Sequence, residues 1–554
     1  MRKKFLKIAS AALTAVLGLS LAACGGGGDD SKKPESVDSS KKQLYVYTYD
    51  GGYGHEWLNR VKTEYEKIHG DVQIVIDPKK PTSNNINKNF IKNGKNQVFF
   101  AEGQTYYSLL AENAIGDLTE AITSVNPYDN KKIIDKFTDA QKAYYNVSDK
   151  YYGLPHYAGY MGLIYNIDLF EANGWYIKDG FDTNISAKTE DMFVKNAGDA
   201  KSKGPDGKAK TSDDGLPATY EQFVALCDFI ASTSEVAPLT WTGQYREQYV
   251  GYTYQSLVAD YEGKDAFSLN FNFDGTANDL GRIIDGEFVK DETPTVINND
   301  NGYELARQEG KYRALKFMDD LLGDERFYDR TLATNGNDEN TSAMLRLIEG
   351  EAAMLMEGAW WENEADLGGY YKELGKTKND FNMGWMPLPK ASADKVGRTD
   401  TVIDHIFSLC FTRPDMNEEQ RKLANDFIQF VNSDQMLLDF TKTTGTLKAL
   451  NYDVSGANLD GLTTFAKSVI KFASEADVVY PFSNNSLFYN NQADFDGRQI
   501  FHSTYKDGSY EKDFKNPVYM LTDMRINEKR TTSVATYFNG IYEYYKTNWS
   551  KFKG

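Results

Sequence analysis

Aromatic rings set beside planar polar side chains are the chemistry this chain offers first. Trp360 follows the apolar stretch 350–359, which reads as a strand running into a loop. Trp241 ends a second strand-like run, with Gln244 close behind. Near the front, Tyr53, His55 and Glu56 follow the run 44–49, and Glu102 and Gln104 follow 97–101. Such sets suit a ring with an apolar C–H face and a rim of hydroxyls. Aromatic faces cover the first, and imidazole, amide and carboxylate groups bond the second. Each residue has a plainer alternative. Trp360 can be a core tryptophan, Trp241 with Gln244 core packing, His55 a solvated helix start and Glu102 a surface charge. Trp361 is expected to point away from the face that Trp360 uses. Asp404 and His405 interrupt the apolar run 402–409, where charge without a partner costs free energy; that favours a cleft-facing role.

These residues need elements to hold them. The β-branched and aromatic run 44–49 reads as a strand, and 50–54 as a turn. Trp57, Leu58, Val61, Tyr65 and Ile68 fall on one face of a helix over 55–69, which Gly70 stops. A second strand follows over 72–76. Strand, helix, strand is a crossover unit, and such units build parallel sheets with helices on their faces. Ligands on these sheets bind beyond the carboxyl ends of the strands, where 50–56 lies. Further strands are expected at 97–101, 161–165 and 238–241, with helices over 106–113 and 219–231. The Gly-, Lys- and Asp-rich insert 174–217 reads as a surface excursion. At 554 residues the chain exceeds what one core supports, so two domains are expected.

The amino terminus supplies an address. Arg2, Lys3, Lys4 and Lys7 precede a mostly apolar run over 8–23, short for a membrane-spanning helix and laid out as a secretory signal. Gly25 to Gly28 and the polar stretch to Lys42 read as a flexible tether. Losing residues 1–23 moves the net charge from -18 to about -22. Such acidity disfavours nucleic acid and anionic lipid and makes a highly anionic ligand a poor fit. Beyond Cys24 only Cys227 and Cys410 remain, too few for a disulfide framework. Cys227 sits in an apolar helical pattern as a small buried hydrophobe.

Leu21-Ala22-Ala23-Cys24 resembles the lipobox of bacterial lipoproteins, in which the signal is cut before a cysteine that becomes lipidated. Four further segments, taken in order, resemble the extracellular carbohydrate-binding proteins of ABC importers, the class that includes maltodextrin-binding proteins. They are Tyr151-Tyr152-Gly153-Leu154-Pro155 running into 162–170, the stretch 350–360, Met386-Pro387-Leu388-Pro389, and 424–435 with Gly445-Thr446-Leu447. The likeness covers about 43–450; the tail 451–554 matches loosely, as an aromatic-rich helical end of the second lobe. It implies a two-lobed α/β fold of the periplasmic-binding-protein type, with lobe one from 43–153 and 395–442 and lobe two from 156–390 and 447–554. Three hinge crossings join the lobes around a ligand cleft. It also implies Trp360 as a stacking ring and polar ligands at Glu102 and Gln104. Tyr157 and Tyr160 would follow the first crossing, and Asp404 and His405 the second. The function implied is capture of a sugar, an oligosaccharide more than a monosaccharide, and its delivery to ABC permease subunits. The protein would be a monomer, lipid-anchored on the outer face of the membrane, with no cofactor and no nucleic-acid partner.

Two other readings stand beside this one. A secreted glycoside hydrolase would need two carboxyl groups at a fixed separation, and no local motif marks such a pair. The same fold could instead hold a peptide or another non-sugar solute. The loop 206–215 is similar to calcium loops inserted in long members of the family. Lys208, Lys210 and Pro217 stand where an EF-hand needs oxygen donors, so a solvated loop is expected, with a structural calcium near Asp206, Asp213 and Asp214 as the alternative. No His/Cys zinc spacing is present.

Overall fold

The computed structural model describes residues 36–79, 86–102, 106–182, 190–195, 198–405, 408–491, 517–527 and 533–553. The expected signal 1–23, Cys24 and most of the tether lie outside the described residues, as does Gln104.

The chain opens with β1 (Lys42–Tyr49), whose Leu44, Val46 and Tyr47 are buried. In α1 (Glu56–Ile68) the spacing of Trp57, Leu58, Val61 and Tyr65 puts one face into the core. Next come β2 (Val72–Lys79), the wholly buried β3 (Val98–Ala101), α2 (Tyr106–Ala111) and β4 (Gly153–Pro155). A second group starts with β5 (Met161–Asn166), buried along its length. It continues through α3 (Tyr220–Thr233), β6 (Ala237–Thr240), α4 (Arg246–Glu262), α5 (Asn340–Ile348), β7 (Ala352–Gly358), α6 (Trp361–Leu367) and β8 (Met383–Met386). The short β9 (Thr401–Ile403) is followed by β10 (Leu409–Thr412), α7 (Glu418–Val431), α8 (Asp434–Thr444), β11 (Asp477–Val479) and α9 (Val534–Phe552).

Two main sheets result. The first has the order β2-β1-β3-β10-β4, parallel across β2, β1 and β3 and antiparallel where β10 joins β3 and β4. The second has the order β8-β5-β7-β6. Each has its own core. Phe99, Phe100 and Phe411 meet Trp57, Phe427 and Phe440 in the first lobe. In the second, Phe223, Leu257 and Tyr545 pack from α3, α4 and α9, while α5, α6 and the helix over 464–475 cover the opposite face. This is a two-lobed α/β fold in which each sheet has its own core.

Three expectations need correction. The chain rejoins the first sheet at Leu409, not near 395. Met386 still pairs with Leu163, and Lys390, buried between Asp260 and Asp400 at 2.7 and 2.5 Å, pins residues 391–400 to the second lobe. The run 402–409 is not one strand: Thr401–Ile403 pair with Asp477–Val479, and Leu409 begins a strand of the first sheet. The insert 174–217 is more than a surface excursion, since Trp175, Tyr176, Ile177, Phe193 and Leu216 belong to the second core. Apolar content within a Gly/Asp-rich stretch was the signal for that. Cys227 is fully buried, as its helical pattern implies.

Candidate functional site between the lobes

Three segments run side by side where the lobes join. In the first, 156–160, the Tyr157 N–H donates to Ser408 Oγ (3.0 Å), and that hydroxyl returns a bond to the Tyr157 carbonyl (2.8 Å). The Ala158 N–H donates to the Leu447 carbonyl at 3.0 Å. The Gly159 N–H donates to Asp404 Oδ1 (2.9 Å), and the His405 N–H donates to the Gly159 carbonyl (2.9 Å). Segments 156–160 and 446–449, with Asp404, His405 and Ser408, thus form a short hydrogen-bonded ladder. Beside it the buried Lys448 Nζ donates to His156 Nδ1 at 2.6 Å and lies 4.4 Å from the Trp57 ring centre and 4.5 Å from that of Phe440. Burial pushes Lys448 well below the ordinary lysine range and His156 below the ordinary histidine range.

Away from this hinge, β1 and β7 send their carboxyl ends toward each other. After β1 the Gly54 N–H donates to the Gly51 carbonyl at 2.7 Å, with Gly54 left-handed at φ 60°. That turn directs His55 Nδ1 onto Asp50 Oδ1 at 2.7 Å. After β7, Trp360 leaves only 8% of its surface exposed. Its ring lies between Gly52 of the first lobe and Gly358 of its own strand: a Cβ added at either would sit 2.7 or 2.4 Å from the indole. Tyr53 meets the indole edge-on at 6.2 Å, and the Asn363 side-chain amide donates to the Gly52 carbonyl at 2.8 Å.

Beside this contact a groove of about 540 Å³ opens between the lobes, within the range of small-molecule sites. Asp50, His55 and Glu56 line it from the first lobe, and Asn340, Glu364 and Tyr370 from the second. Under the second wall, the Asn340 amide donates to the Tyr249 hydroxyl at 3.1 Å. Glu357 is sealed there at 0% exposure, and burial, with Glu364 nearby, holds its carboxyl well above the usual carboxylate range.

The sequence-derived residues divide accordingly. Tyr53 and Trp360 meet in the buried contact beside the groove, and His55 alone of the three lines it. Tyr157 is buried behind Tyr53, their rings 4.1 Å apart, and the Tyr53 hydroxyl donates to the Ala158 carbonyl at 3.0 Å. Glu102, half-buried at the end of β3, helps push the Tyr49 and Tyr53 hydroxyls up, after burial itself. Tyr160, Asp404 and His405 are buried hinge residues rather than open cleft residues. His405 Nε2 lies 3.2 Å from Ser256 Oγ, and burial pushes the imidazole down to about 3. Trp241 is a core residue, correcting its assignment to the ligand: 2% exposed, it donates its ring N–H to the Ala333 carbonyl at 2.9 Å and packs on Tyr328. Gln244 is exposed outside the groove-lining set. Trp361 faces the opposite way from Trp360, into Phe465.

Sequence reasoning held Asp50 only as part of the candidate wall 50–56, and missed Asn340, Glu364, Tyr370 and the buried Glu357. Glu364 was open to inspection, four residues beyond Trp360 on the next helix; nothing local marks Asn340. In the loop 206–215 the Asp213 and Asp214 carboxylates accept from Asp206, Lys210 and Thr211 N–H groups of the same loop. Among the described residues no three His, Cys, Asp or Glu side chains gather as a metal site, and no helix is long and apolar enough to cross a membrane.

The profile of a family described as bacterial extracellular solute-binding protein matches residues 61–457. No curated protein matches the chain. Among solved structures, a chitin oligosaccharide binding protein is similar at 13% identity and a TM-score of 0.53, covering 92% of this chain and 100% of that one. The GacH receptor of Streptomyces glaucescens GLA.O, solved unliganded and with acarbose and an acarbose homolog, is similar at 13% identity and a TM-score of 0.53. That match covers 92% of this chain and 99% of the receptor. At such identity the likeness is one of fold.

Proposed function

The chain belongs to the bacterial extracellular solute-binding proteins, and we propose that it captures a sugar, an oligosaccharide, between its lobes and delivers it to an ABC permease. The observation that carries this reading is the groove itself. It lies between two lobes joined by three crossings, with carboxylate, amide and phenol groups on its walls and the buried Trp360 contact beside it. Hinge closure around a ligand is an established switching mode, and a permease can tell loaded from empty protein by shape. The two structural neighbours, a chitin oligosaccharide binding protein and a receptor solved with acarbose, support this ligand class. The lipobox-like Leu21-Ala22-Ala23-Cys24 supports anchoring through Cys24 at the outer face of the membrane. In our reading of a monomer that binds without catalysis, the family match supports only the binding role.

Thermal unfolding against neutral oligosaccharides, with small peptides as controls, tests the reading. A ligand at 100 times its Kd adds about 2.7 kcal/mol. A melting shift with an intact oligosaccharide supports it. Cleavage of the sugar overturns it in favour of a hydrolase, and a shift with peptides alone overturns the ligand class while keeping the fold.

A further inference from the structure

Beyond the three hinge crossings, the chain passes from the second lobe to the first and back once more. β11 ends on the second lobe at Val479, which lies in the second core and whose carbonyl accepts the Asp404 N–H at 3.0 Å. Residues 480–482 leave it. The Tyr480 hydroxyl meets the Tyr145 hydroxyl at 2.8 Å, and the Tyr144 ring lies 5.9 Å from Tyr480 and 5.2 Å from Phe482. Tyr480 and Phe482 both pack on the first core. By Asn485 the chain is back on the second lobe: the Asn485 amide donates to the Asn272 carbonyl and to Asn299 Oδ1, each at 2.8 Å. Leu487 and Phe488 then enter the second core, with Phe488 edge-on to Phe271 at 5.4 Å. Tyr489, on the same short helix Ser486–Asn490, turns the other way. Its ring stacks on Tyr107 of the first lobe, the centres 4.7 Å apart and the planes 10° from parallel.

This segment grips the lobes in alternation, and it has little slack. Phe482 and Asn485, on opposite lobes, are three positions apart, a reach of at most about 10 Å. Leu487 and Phe488, 5% and 1% exposed, fix the short helix to the second lobe. The Tyr107 hydroxyl donates to the Tyr144 carbonyl at 2.9 Å, which holds the other ring still for Tyr489 to lie on. Tyr107 stands on α2, just beyond the carboxyl end of β3, and the groove opens beyond the carboxyl end of β1, the neighbouring strand. Strap and groove thus border the same edge of the first sheet, where the lobes face each other.

We propose that residues 480–489 form a strap that limits how far the cleft opens, with the Tyr107–Tyr489 stack as the clasp that parts before the lobes separate. The two ring anchors differ in kind. Tyr480 sits next to the pivot, where a rotation moves atoms little. Tyr489 is half-buried and held to the first lobe through a ring face, and such a pair adds attraction beyond the area it buries. The strap acts on whatever solute the cleft holds, so it stands apart from the sugar reading.

The test counts openings with a thiol. In the full chain carrying Cys24→Ser, Asn363→Cys places a thiol at a position 7% exposed, against Gly52 of the first lobe. Cys227 and Cys410, buried in the second and first cores, serve as controls. Alkylation is followed by peptide mass. Tyr489→Ala should speed labelling of the introduced thiol about tenfold and leave both controls unchanged. Tyr489→Phe, which keeps the ring, should label at the parent rate. Tyr107→Leu removes the other ring and is the second variant should the alanine form fold poorly. An unchanged rate in the folded variant overturns the strap. A rise shared by all three thiols overturns it too, since that marks loosened packing rather than parted lobes.

Discussion

The two lobes touch at the hinge and again at the groove, and these contacts are built from different materials. At the hinge, backbone groups of 156–160, His405 and 446–449 bond one another or buried side chains, and the ladder shares its polar groups among Ser408, Asp404 and Gly159. At the groove, one indole between Gly52 and Gly358 and one amide bond from Asn363 carry the contact. A backbone ladder keeps its pairing through small rotations, because each bond bends a little. A ring lodged against two glycines is either in place or out. The first arrangement suits a pivot and the second a catch.

That difference can be broken or sharpened by substitution. The largest effect is expected from Trp360→Ala, which empties the space between Gly52 and Gly358. Loss of a buried aromatic costs about 3–5 kcal/mol, read as a drop in urea midpoint; a loss under about 1 kcal/mol would mean that the catch is ornamental. Next, His156→Leu leaves the buried Lys448 amine without its acceptor and should cost about 3 kcal/mol. Lys448→Met, which removes the polar group along with its need for a partner, should stay within about 1 kcal/mol of wild type. Equal losses in the two variants would show that the His156–Lys448 bond, rather than stranded polarity, holds the hinge.

Acid provides a smaller and graded test. His405 is pushed down to about 3 from an ordinary 6.5 because burial opposes its charge. Its neutral form is the folded one, so its contribution is full above pH 6.5 and drains away as pH falls from 6.5 toward 3. Glu362, pushed up to about 7 by burial, contributes in the opposite sense: fully below 4.5, lost as pH rises through 7. Comparing wild type with His405→Phe isolates the first effect. Between pH 7 and 4 the wild-type urea midpoint should fall more steeply than the variant's; parallel curves would mean His405 is not sealed at the pivot. The smallest change is expected from Asn363→Ala, about 1 kcal/mol for one part-buried hydrogen bond. A loss matching that of Trp360→Ala would move the catch from the ring to the amide.

Much of the scaffold was open to reading before any coordinates. The alternation of strand and helix over 44–76 announced a crossover unit, because apolar periodicity is a local property of the chain. The apolar stretch ending in Trp360 is likewise a β-strand with its tryptophan at the tip. The re-entry point was not legible, because the Lys390 ammonium, between Asp260 and Asp400, holds 387–400 to the second lobe, and Asp260 lies 130 positions before that lysine. Trp241 illustrates the opposite limit. A tryptophan after a strand can meet solvent or core, and the decision fell to Tyr328 and Ala333, which no local pattern announces. Asp404 and His405 were expected to face the cleft because charge needs partners; both are buried instead, partnered by Gly159 and Ser256 inside the pivot.

Trp360 has one further property. Of the seven tryptophans in the chain, Trp57 packs among first-lobe rings, and Trp175, Trp241, Trp361, Trp385 and Trp549 pack among second-lobe residues. Trp360 alone is shielded by a wall supplied from the opposite lobe. The protein therefore carries its own optical gauge: when the lobes part, a single indole out of seven passes from a dry environment to a wet one. Its emission reports the separation with no dye attached.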